Sequence, residues 1–507
     1  MIPGLEVDVE GDQPVYRQIA DGIRSAASAG RLPSGQRLPP TRDLARQLGV
    51  NRNTVIAAYD LLAAEGIVRS HTGRGTYLVA APTPGTAAPA RSTPARDAWF
   101  TAFSRAVEGP GVGGLLSAYR VAIATDGISF AGSYPDKDLM PVEEFRRAME
   151  SVLRTEGVEV LSYGPTAGHH GLRESIAGAM SRRGSRITSE GILVTNGSQQ
   201  ALDLVFRTLL DPGDPVVVED PTYTGALSVL HSLGARLVGV PVDDEGIRPD
   251  LLARALERHH PRVLYVQPTF QNPTARVASE ARRRDVLALA ARHRCAVVED
   301  DWAGDLRLEG ADLPTLHAMD GGEHVLYVST FSKKLLPGLR VGWVAAPAPV
   351  LERLVTMKQI EDCGTSPLIQ AALHAFLREG GLEQHLERVR PVYRERRDTM
   401  IRALERHFPE GVAWERPAGG LFLWLTLPDG IDSNDLHALA RERGVLFNKG
   451  DLFHVDGGGR GTLRLTYAAV PVARIEAGVE ILGDLVRERV PHGAAVPRQP
   501  LEGLPIL

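Results

Sequence analysis

Two hydrophobic rhythms divide the chain. Near the N-terminus, Tyr16, Ile19 and Ile23 recur at intervals of three and four residues, the spacing of one helical face. A short helix is expected over Arg42–Leu48, with Thr41 as its cap, Leu44 and Leu48 inward, and Gly49 at its end. Asn51 then caps a third helix whose buried stripe is Val55, Ile56, Tyr59 and Leu62, and Gly66 stops it. Two strand-like runs follow, Ile67–Arg69 and Thr76–Val79, joined by the glycine-containing stretch His71–Gly75. Helix, helix, short turn, helix and β-hairpin is the layout of a winged helix-turn-helix. From about Leu115 the rhythm changes. Ile192–Val194, Pro215–Val218, Leu237–Val240, Val263–Val266, Ala296–Val298, Val325–Val328 and Val341–Val344 are short apolar runs without alternation. Such runs predict strands buried on both faces of a mostly parallel sheet. Amphipathic stretches such as Gln200–Leu210 and Glu280–His293 lie between them, which makes the large domain α/β.

Length and composition narrow the class. At 507 residues the chain exceeds one ordinary domain. A hydrophobic share of 43% with 23% charged residues is that of a soluble globular protein. Two cysteines, Cys295 and Cys363, stand far apart, so neither a disulfide framework nor a metal-cluster spacing is present, and no metal is expected. No apolar run approaches membrane-spanning length. The N-terminus, with Glu6, Asp8 and Glu10, lacks the basic-then-apolar form of a signal peptide, so the cytoplasm is the expected compartment. Residues Ala80–Pro94 are Ala, Pro, Thr, Gly and Ser apart from Arg91. We read residues 80–114 as an interdomain linker whose Pro/Ala-rich part reaches roughly 45 Å at ~3.1 Å per residue. The expected domains are 12–79 and 115–487, followed by an irregular tail, 488–507.

Charge separates the two domains. Between Asp12 and Val79 nine arginines face five acids, a net charge of +4, whereas the whole chain carries −5. A positive small domain tethered to a negative large one suits a polyanion. Arg52, Asn53 and Thr54 open the third helix, and the start of a recognition helix is what meets base edges in helix-turn-helix proteins. Arg pairs with guanine and Asn with adenine in the major groove. The stretch LPPTRDLARQLGVNRNTVIAAYDLLAAEGIVRSHTGRGTYL resembles the GntR-type winged helix. That resemblance implies double-stranded DNA as partner, contacted by Thr41, Arg42, Arg52, Asn53, Thr54 and the wing residue Arg74.

The large domain carries its polar motifs just after the apolar runs, where ligands bind in open α/β sheets. Asn196-Gly197-Ser198-Gln199-Gln200 follows one run and opens a helix, an arrangement that offers backbone N–H groups to a phosphate. Asp220-Pro221-Thr222-Tyr223, Gln271-Asn272-Pro273-Thr274 and Glu299-Asp300-Asp301-Trp302 follow others. Then comes Thr330-Phe331-Ser332-Lys333-Lys334, with Arg340 shortly after. The chain has five lysines among 57 basic residues, so two adjacent ones suggest a task that arginine cannot do. A lysine amine forms a Schiff base with an aldehyde, and the nearby hydroxyls and Arg340 can hold a phosphate.

Taken in order, these motifs resemble those of fold-type I aminotransferases, which bind pyridoxal 5′-phosphate. The resemblance implies that Lys333 carries the cofactor, with Lys334 its solvated neighbour. Asp300 faces the pyridinium nitrogen, Asn272 the ring hydroxyl, and Tyr223 stacks on the ring. Gly197, Ser198, Gln199, Thr330, Ser332 and Arg340 hold the phosphate. Tyr163 reaches into the partner subunit's site, and Arg464 clamps an amino-acid carboxylate. Two positions depart from the pattern. Ala275 stands where Asn-Pro-Thr is usually followed by Gly. Trp302 stands where related regulators often carry Tyr, leaving an indole N–H as the available donor. Both departures bear on transamination more than on cofactor binding.

Together, the GntR-type winged helix (α+β), the linker and the aminotransferase-type α/β domain with its smaller C-terminal α+β subdomain resemble the MocR subfamily of transcriptional regulators. The resemblance implies a head-to-tail homodimer that binds operator DNA and senses an amine, an amino acid or pyridoxal phosphate itself. Two rival expectations are a working aminotransferase with an autoregulatory DNA-binding domain, and a cofactor-free scaffold.

Overall fold

The computed structural model describes residues 127–490 without interruption. Nearer the N-terminus it describes 15–28, 31–33, 35–64, 67–71 and 75–78, with a few isolated positions. The expected linker, apart from Ser104 and Ala106, and the tail beyond residue 490 lie outside the described residues, as does Arg74. The chain divides into two compact units, residues 1–101 and 102–507.

In the first unit, α1 (Val15–Ser28), α2 (Thr41–Leu48) and α3 (Arg52–Ala64) precede a hairpin of β1 (Val68–His71) and β2 (Gly75–Leu78). Ile19, Ile23, Leu44, Val55, Tyr59, Leu62, Val68 and Leu78 form its core, as the apolar spacing predicts. Ile56 and Leu48 are only half-buried, since each sits at the edge of its helix's apolar stripe. Gly49 ends α2 in the left-handed region at φ 66°, its N–H returning to Ala45 O, a conformation open to glycine at little cost. The expectation for Thr41 is corrected. Pro40, at φ −54°, occupies the cap position and no side chain caps α2. The Pro40 carbonyl already accepts the N–H groups of Asp43 and Leu44, so the helix opens one residue early and Thr41 is its first residue.

The second unit is built on an eight-stranded sheet. Its strands are β4 (Ile192–Thr195), β5 (Pro215–Asp220), β6 (Arg236–Asp243), β7 (Gly246–Ile247), β8 (Val263–Val266), β9 (Ala296–Asp300), β10 (Val325–Thr330) and β11 (Gly342–Ala345), in the order β4-β11-β10-β9-β8-β5-β6-β7. Pairing is parallel from β10 through β9, β8 and β5 to β6. β11 is antiparallel to both neighbours, and β7 is an antiparallel edge hairpin on β6. Each of the seven apolar runs is a strand. β4, β8, β10 and β11 are buried along their whole length, whereas β6 is largely half-exposed. β6 lies next to the sheet edge, bordered on its outer side by the two-residue strand β7 alone.

A second sheet, β12 (Ala413–Trp414), β13 (Phe422–Thr426), β16 (Thr462–Thr466) and β15 (Asn448–Lys449), is antiparallel throughout. A parallel pair joins β3 (Ile128–Ser129) to β14 (Val445–Leu446). The helix Gly381–His407 packs against the helix Val472–Arg487 beneath this sheet. Phe130, Met400, Leu423, Leu465, Ile475 and Leu482 share the resulting core. This is the expected smaller α+β subdomain. Among the described residues no helix is long and apolar enough to cross a membrane.

Candidate functional site

The carboxyl ends of β4, β5, β8, β9 and β10 point to one side of the large sheet, and β15 and β16 of the second sheet close over them. Ser198, Tyr223, Asn272, Asp300, Trp302, Thr330, Lys333 and Arg464 line a single cavity there. Eight of the residues singled out in the sequence therefore converge from segments up to 266 positions apart (198 to 464). Gly197 and Arg340 build the wall behind Ser198. Gly197 sits at φ 83°, and a Cβ there would come within 2.6 Å of Arg340 Nη2. Arg340 donates to Ser332 Oγ at 3.3 Å and to Asn196 O at 3.2 Å. Thr330 Oγ1 is 3.1 Å from Ser332 Oγ. The first turn of the helix Ser198–Leu209 thus opens beside two hydroxyls and a guanidinium, a cradle suited to a phosphate dianion. The Gln199 side chain is engaged elsewhere, donating to Gly225 O at 2.9 Å and accepting from Tyr223 Oη at 3.2 Å.

Asp300 ends β9 and is buried. Its Oδ2 accepts from Tyr265 Oη at 2.8 Å and Gln267 Nε2 at 3.0 Å, and its Oδ1 has no partner. Burial pushes the carboxyl up to about 7, although both donors pull it down. Successive residues leave a strand on opposite faces, so Asp301 turns away and meets Arg183, Tyr327 and the Gly304 N–H. The acid facing the cavity is the first of the pair, as the resemblance implies. An unpaired buried carboxylate oxygen is costly and fits a ring N–H.

Lys333 Nζ donates to Ser133 O at 2.6 Å. Burial pulls its pKa down to about 8, with the charges of Arg464 and Arg340 adding to the effect. Lys334 corrects the sequence expectation. It is buried, paired with Asp305, and lies over the rings of Phe331 and Trp343 at 5.2 and 4.9 Å. The chain reverses at this point, so adjacent lysines face opposite sides.

Arg464 lies in β16, opposite Asn448 of β15. It is buried between Phe422 and Phe453, 4.7 and 4.8 Å from their ring centroids. Nη1 donates to Asn272 Oδ1 at 2.6 Å, and Nε has no partner. Burial lowers its pKa to about 9, still above neutrality, so the guanidinium stays charged. Among the described residues no carboxylate lies within ion-pairing distance of it. The site therefore presents a buried cation fitted to a ligand carboxylate.

Trp302 lines the cavity, but its indole N–H donates to Phe270 O at 3.0 Å and its ring stacks on Phe422. The indole is a wall and its donor is already engaged. Ala275 takes φ 60°, the left-handed region where glycine is at ease, so the backbone keeps the conformation a glycine would favour. Tyr163 is 96% exposed and lies outside this cavity. In the first unit, Arg42 and Arg52 are exposed at the starts of α2 and α3, and Thr54 is half-buried. Asn53 lies within α3, but its side chain, like Arg74, is outside the described residues.

Sequence reasoning missed Gly132, Ser133, Tyr134, Gln267, Asn448 and Phe453, which also line the cavity. No sequence signal marks Gly132; its close approach, with a Cβ falling within 2.2 Å of the Tyr134 ring, exists only in the fold. Asn448 reaches the site through strand pairing and a bond to Ala131 O, which no local pattern announces.

The titrating groups give the first expected result. At pH 6 Asp300 is largely protonated and Lys333 charged; at pH 8 the carboxylate is formed and about half the amine is free. Asp300's folded value is raised. Its contribution to the stability of the cofactor-free protein is therefore full below about pH 4 and lost as pH rises through about 7. Both groups favour cofactor binding as pH rises. The affinity for pyridoxal phosphate is expected to increase on the order of tenfold or more from pH 6 to pH 8, measured by fluorescence titration. A flat profile would contradict the placement of both groups.

Comparison with known proteins agrees with this geometry. Residues 129–482 match the family "Aminotransferase class I and II", and residues 15–78 match "Bacterial regulatory proteins, gntR family". The chain is 32% identical to the uncharacterized HTH-type transcriptional regulator YisV of Bacillus subtilis, over 94% of this chain and 97% of that protein. It is likewise 32% identical to the probable rhizopine catabolism regulatory protein MocR of Rhizobium meliloti, over 88% of each. Among solved structures, the α-aminoadipate aminotransferase LysN of Thermus thermophilus, complexed with N-(5′-phosphopyridoxyl)-L-leucine, is 38% identical with a TM-score of 0.72. That match covers 77% of this chain and 98% of LysN. The cofactor of this fold is pyridoxal phosphate, and the orphaned Asp300 oxygen, the cradle at Gly197 and the free-standing Arg464 fit it. The chain thus belongs to the class I and II aminotransferase family and, through the gntR-family winged helix fused to it, to the MocR-type regulators.

Proposed function

We propose that the protein is a DNA-binding transcriptional regulator whose aminotransferase-like domain uses Lys333 to carry pyridoxal phosphate and reads an amine or amino acid there. The observation that carries this reading is the orphaned pair of Asp300 Oδ1 and Arg464 Nε in the cavity of a chain that also holds a winged helix. When bound, the cofactor supplies an aldehyde for amines and a ring that withdraws electrons. The remaining work falls to the chain. Gly197, Ser198, Thr330, Ser332 and Arg340 seat the phosphate, Asp300 holds a proton at the ring nitrogen, and Asn272 orients the ring hydroxyl. Arg464 fixes the carboxylate of an amino-acid ligand, while Trp302 and Phe453 exclude water. A ligand that favours one arrangement of the two domains shifts DNA binding by its difference in affinity.

DNA contact is assigned to Thr41, Arg42, Arg52, Asn53 and Thr54 at the helix starts and Arg74 in the wing. A homodimer is supported by an apolar surface patch. Val158, Leu161, Tyr163 and Ile360 are 66–96% exposed, and Thr166 and Gln359 tie the two segments together. Exposed apolar clusters of this kind mark interfaces, and Tyr163 is the residue we assign to the partner's site. Ile360→Asp is expected to yield monomers in sedimentation; an unchanged dimer would remove the patch from the interface.

The test is binding to DNA from upstream of the protein's own gene, with and without pyridoxal phosphate, against a scrambled fragment at fixed salt. Preferential binding that changes with the cofactor and falls with Arg52→Ala is expected. No preference in either state, together with turnover of an amino donor and a 2-oxo acid, would replace this reading with that of an aminotransferase.

A further inference from the structure

A second polar cluster lies beside Phe453, on side chains that do not themselves line the cavity. Asp220 is the last residue of β5. His454 and Asp456 lie in the loop between β15 and β16. His454 Nδ1 is 3.0 Å from Asp220 Oδ1, and one donor atom from each of the three residues falls within 4.8 Å of the other two. Two ligand atoms each about 2.1 Å from a tetrahedral metal are about 3.4 Å apart, so the histidine and Asp220, at 3.0 Å, stand within a few tenths of an ångström of that spacing.

Three features indicate a built site. The imidazole is held in place: Gly459 packs against it at φ 67°, and a Cβ there would come within 2.1 Å of the ring. Asp456 is oriented by its own turn, with Oδ1 accepting the Gly458 N–H at 2.8 Å, which leaves Oδ2 to face a ligand. Finally, among the described residues neither Asp220 nor Asp456 pairs with a lysine or arginine. Two carboxylates therefore flank one imidazole with no lysine or arginine between them.

We propose that Asp220, His454 and Asp456 bind a divalent first-row transition metal, with zinc the expected occupant. The imidazole nitrogen favours zinc, cobalt or nickel over calcium or magnesium, which take oxygen ligands. Three protein ligands leave a fourth position to water, and Asp456 is exposed to supply it. The metal acts as a clasp between the two sheets. Phe453 precedes His454, lines the cavity and lies 4.8 Å from the Arg464 guanidinium, while its carbonyl accepts the Thr222 N–H at 2.8 Å. Tying His454 and Asp456 to Asp220 fixes Phe453 above the residue that receives the ligand carboxylate. The metal thereby tightens amino-acid binding without touching the amino acid. The metal site itself does not depend on the protein being a regulator.

The experiment uses untagged full-length protein stripped with a chelator, in a Cys363→Ser background that removes the exposed thiol. Zinc is titrated by calorimetry, and cobalt by visible absorption, which reports nitrogen and oxygen ligation. One equivalent per chain is expected, with His454→Ala and Asp456→Asn each weakening binding on the order of tenfold or more. Asp456→Asn keeps an acceptor for the Gly458 N–H, so its loss of affinity does not reflect a broken turn. Hydrogen exchange in residues 450–461 should slow with zinc in the parent and not in the variants. Absence of stoichiometric binding, or binding unchanged in both variants, would overturn the proposal.

Discussion

Lys333→Ala abolishes the absorbance band of lysine-linked pyridoxal phosphate, and most of the cofactor's thermal stabilisation goes with it. The expectation rests on geometry. Lys333 lines the cavity formed by Asp300, Tyr223 and Thr330, with its amine on Ser133 O. Its lowered pKa keeps a useful fraction of the amine unprotonated near neutrality, the form that attacks an aldehyde. Lys334 cannot replace it, being turned to the other side of the loop and paired with Asp305. Substituting Lys334 should do the reverse. Lys334→Ala keeps the band but destabilises the fold by about 3 kcal/mol, because Asp305 loses its buried partner. Retention of the band in Lys333→Ala would show that another amine carries the cofactor.

Arg464→Leu weakens binding of a carboxylate-bearing ligand by two orders of magnitude or more, while an amine without a carboxylate binds nearly as before. Removing one partner of a buried, hydrogen-bonded charge pair costs about 2–5 kcal/mol. In the ligand-free protein there is no such pair to lose. Arg464 donates to Asn272 and lies between two aromatic rings, with no acid beside it. Leucine preserves much of the apolar contact, so the ligand-free variant should melt close to the parent. Calorimetry with an amino acid and its decarboxylated amine separates the cases. Equal loss for both would mean that Arg464 acts on the fold and not on the carboxylate.

Most of the fold was legible because its signals are local. Seven apolar runs became seven strands, and the polar motifs after them met in one cavity. What escaped depends on pairing or direction over long range. Asn448 enters the site because β15 pairs with β16. The burial of Lys334 follows from a reversal of the chain that the dipeptide does not announce. Thr41 looked like a cap by residue type, but Pro40 offered its carbonyl first. The Trp302 N–H was read as free, yet Phe270 O, at the end of a different strand's loop, takes it.

The unmatched guanidinium in the cavity also bears on how long the protein persists in a cell. An empty site keeps a buried positive charge without a counterion and a buried carboxylate oxygen without a donor, and both lower the margin between folded and unfolded chain. A ligand that binds the folded form alone raises that margin by RT ln(1 + [L]/Kd). Proteases draw on the unfolded fraction. Chain made when cofactor and amino acid are scarce is therefore cleared sooner than chain made when they are plentiful. For a protein that reads those ligands as proposed, abundance would track the signal over the timescale of protein turnover, in addition to any immediate change in DNA binding.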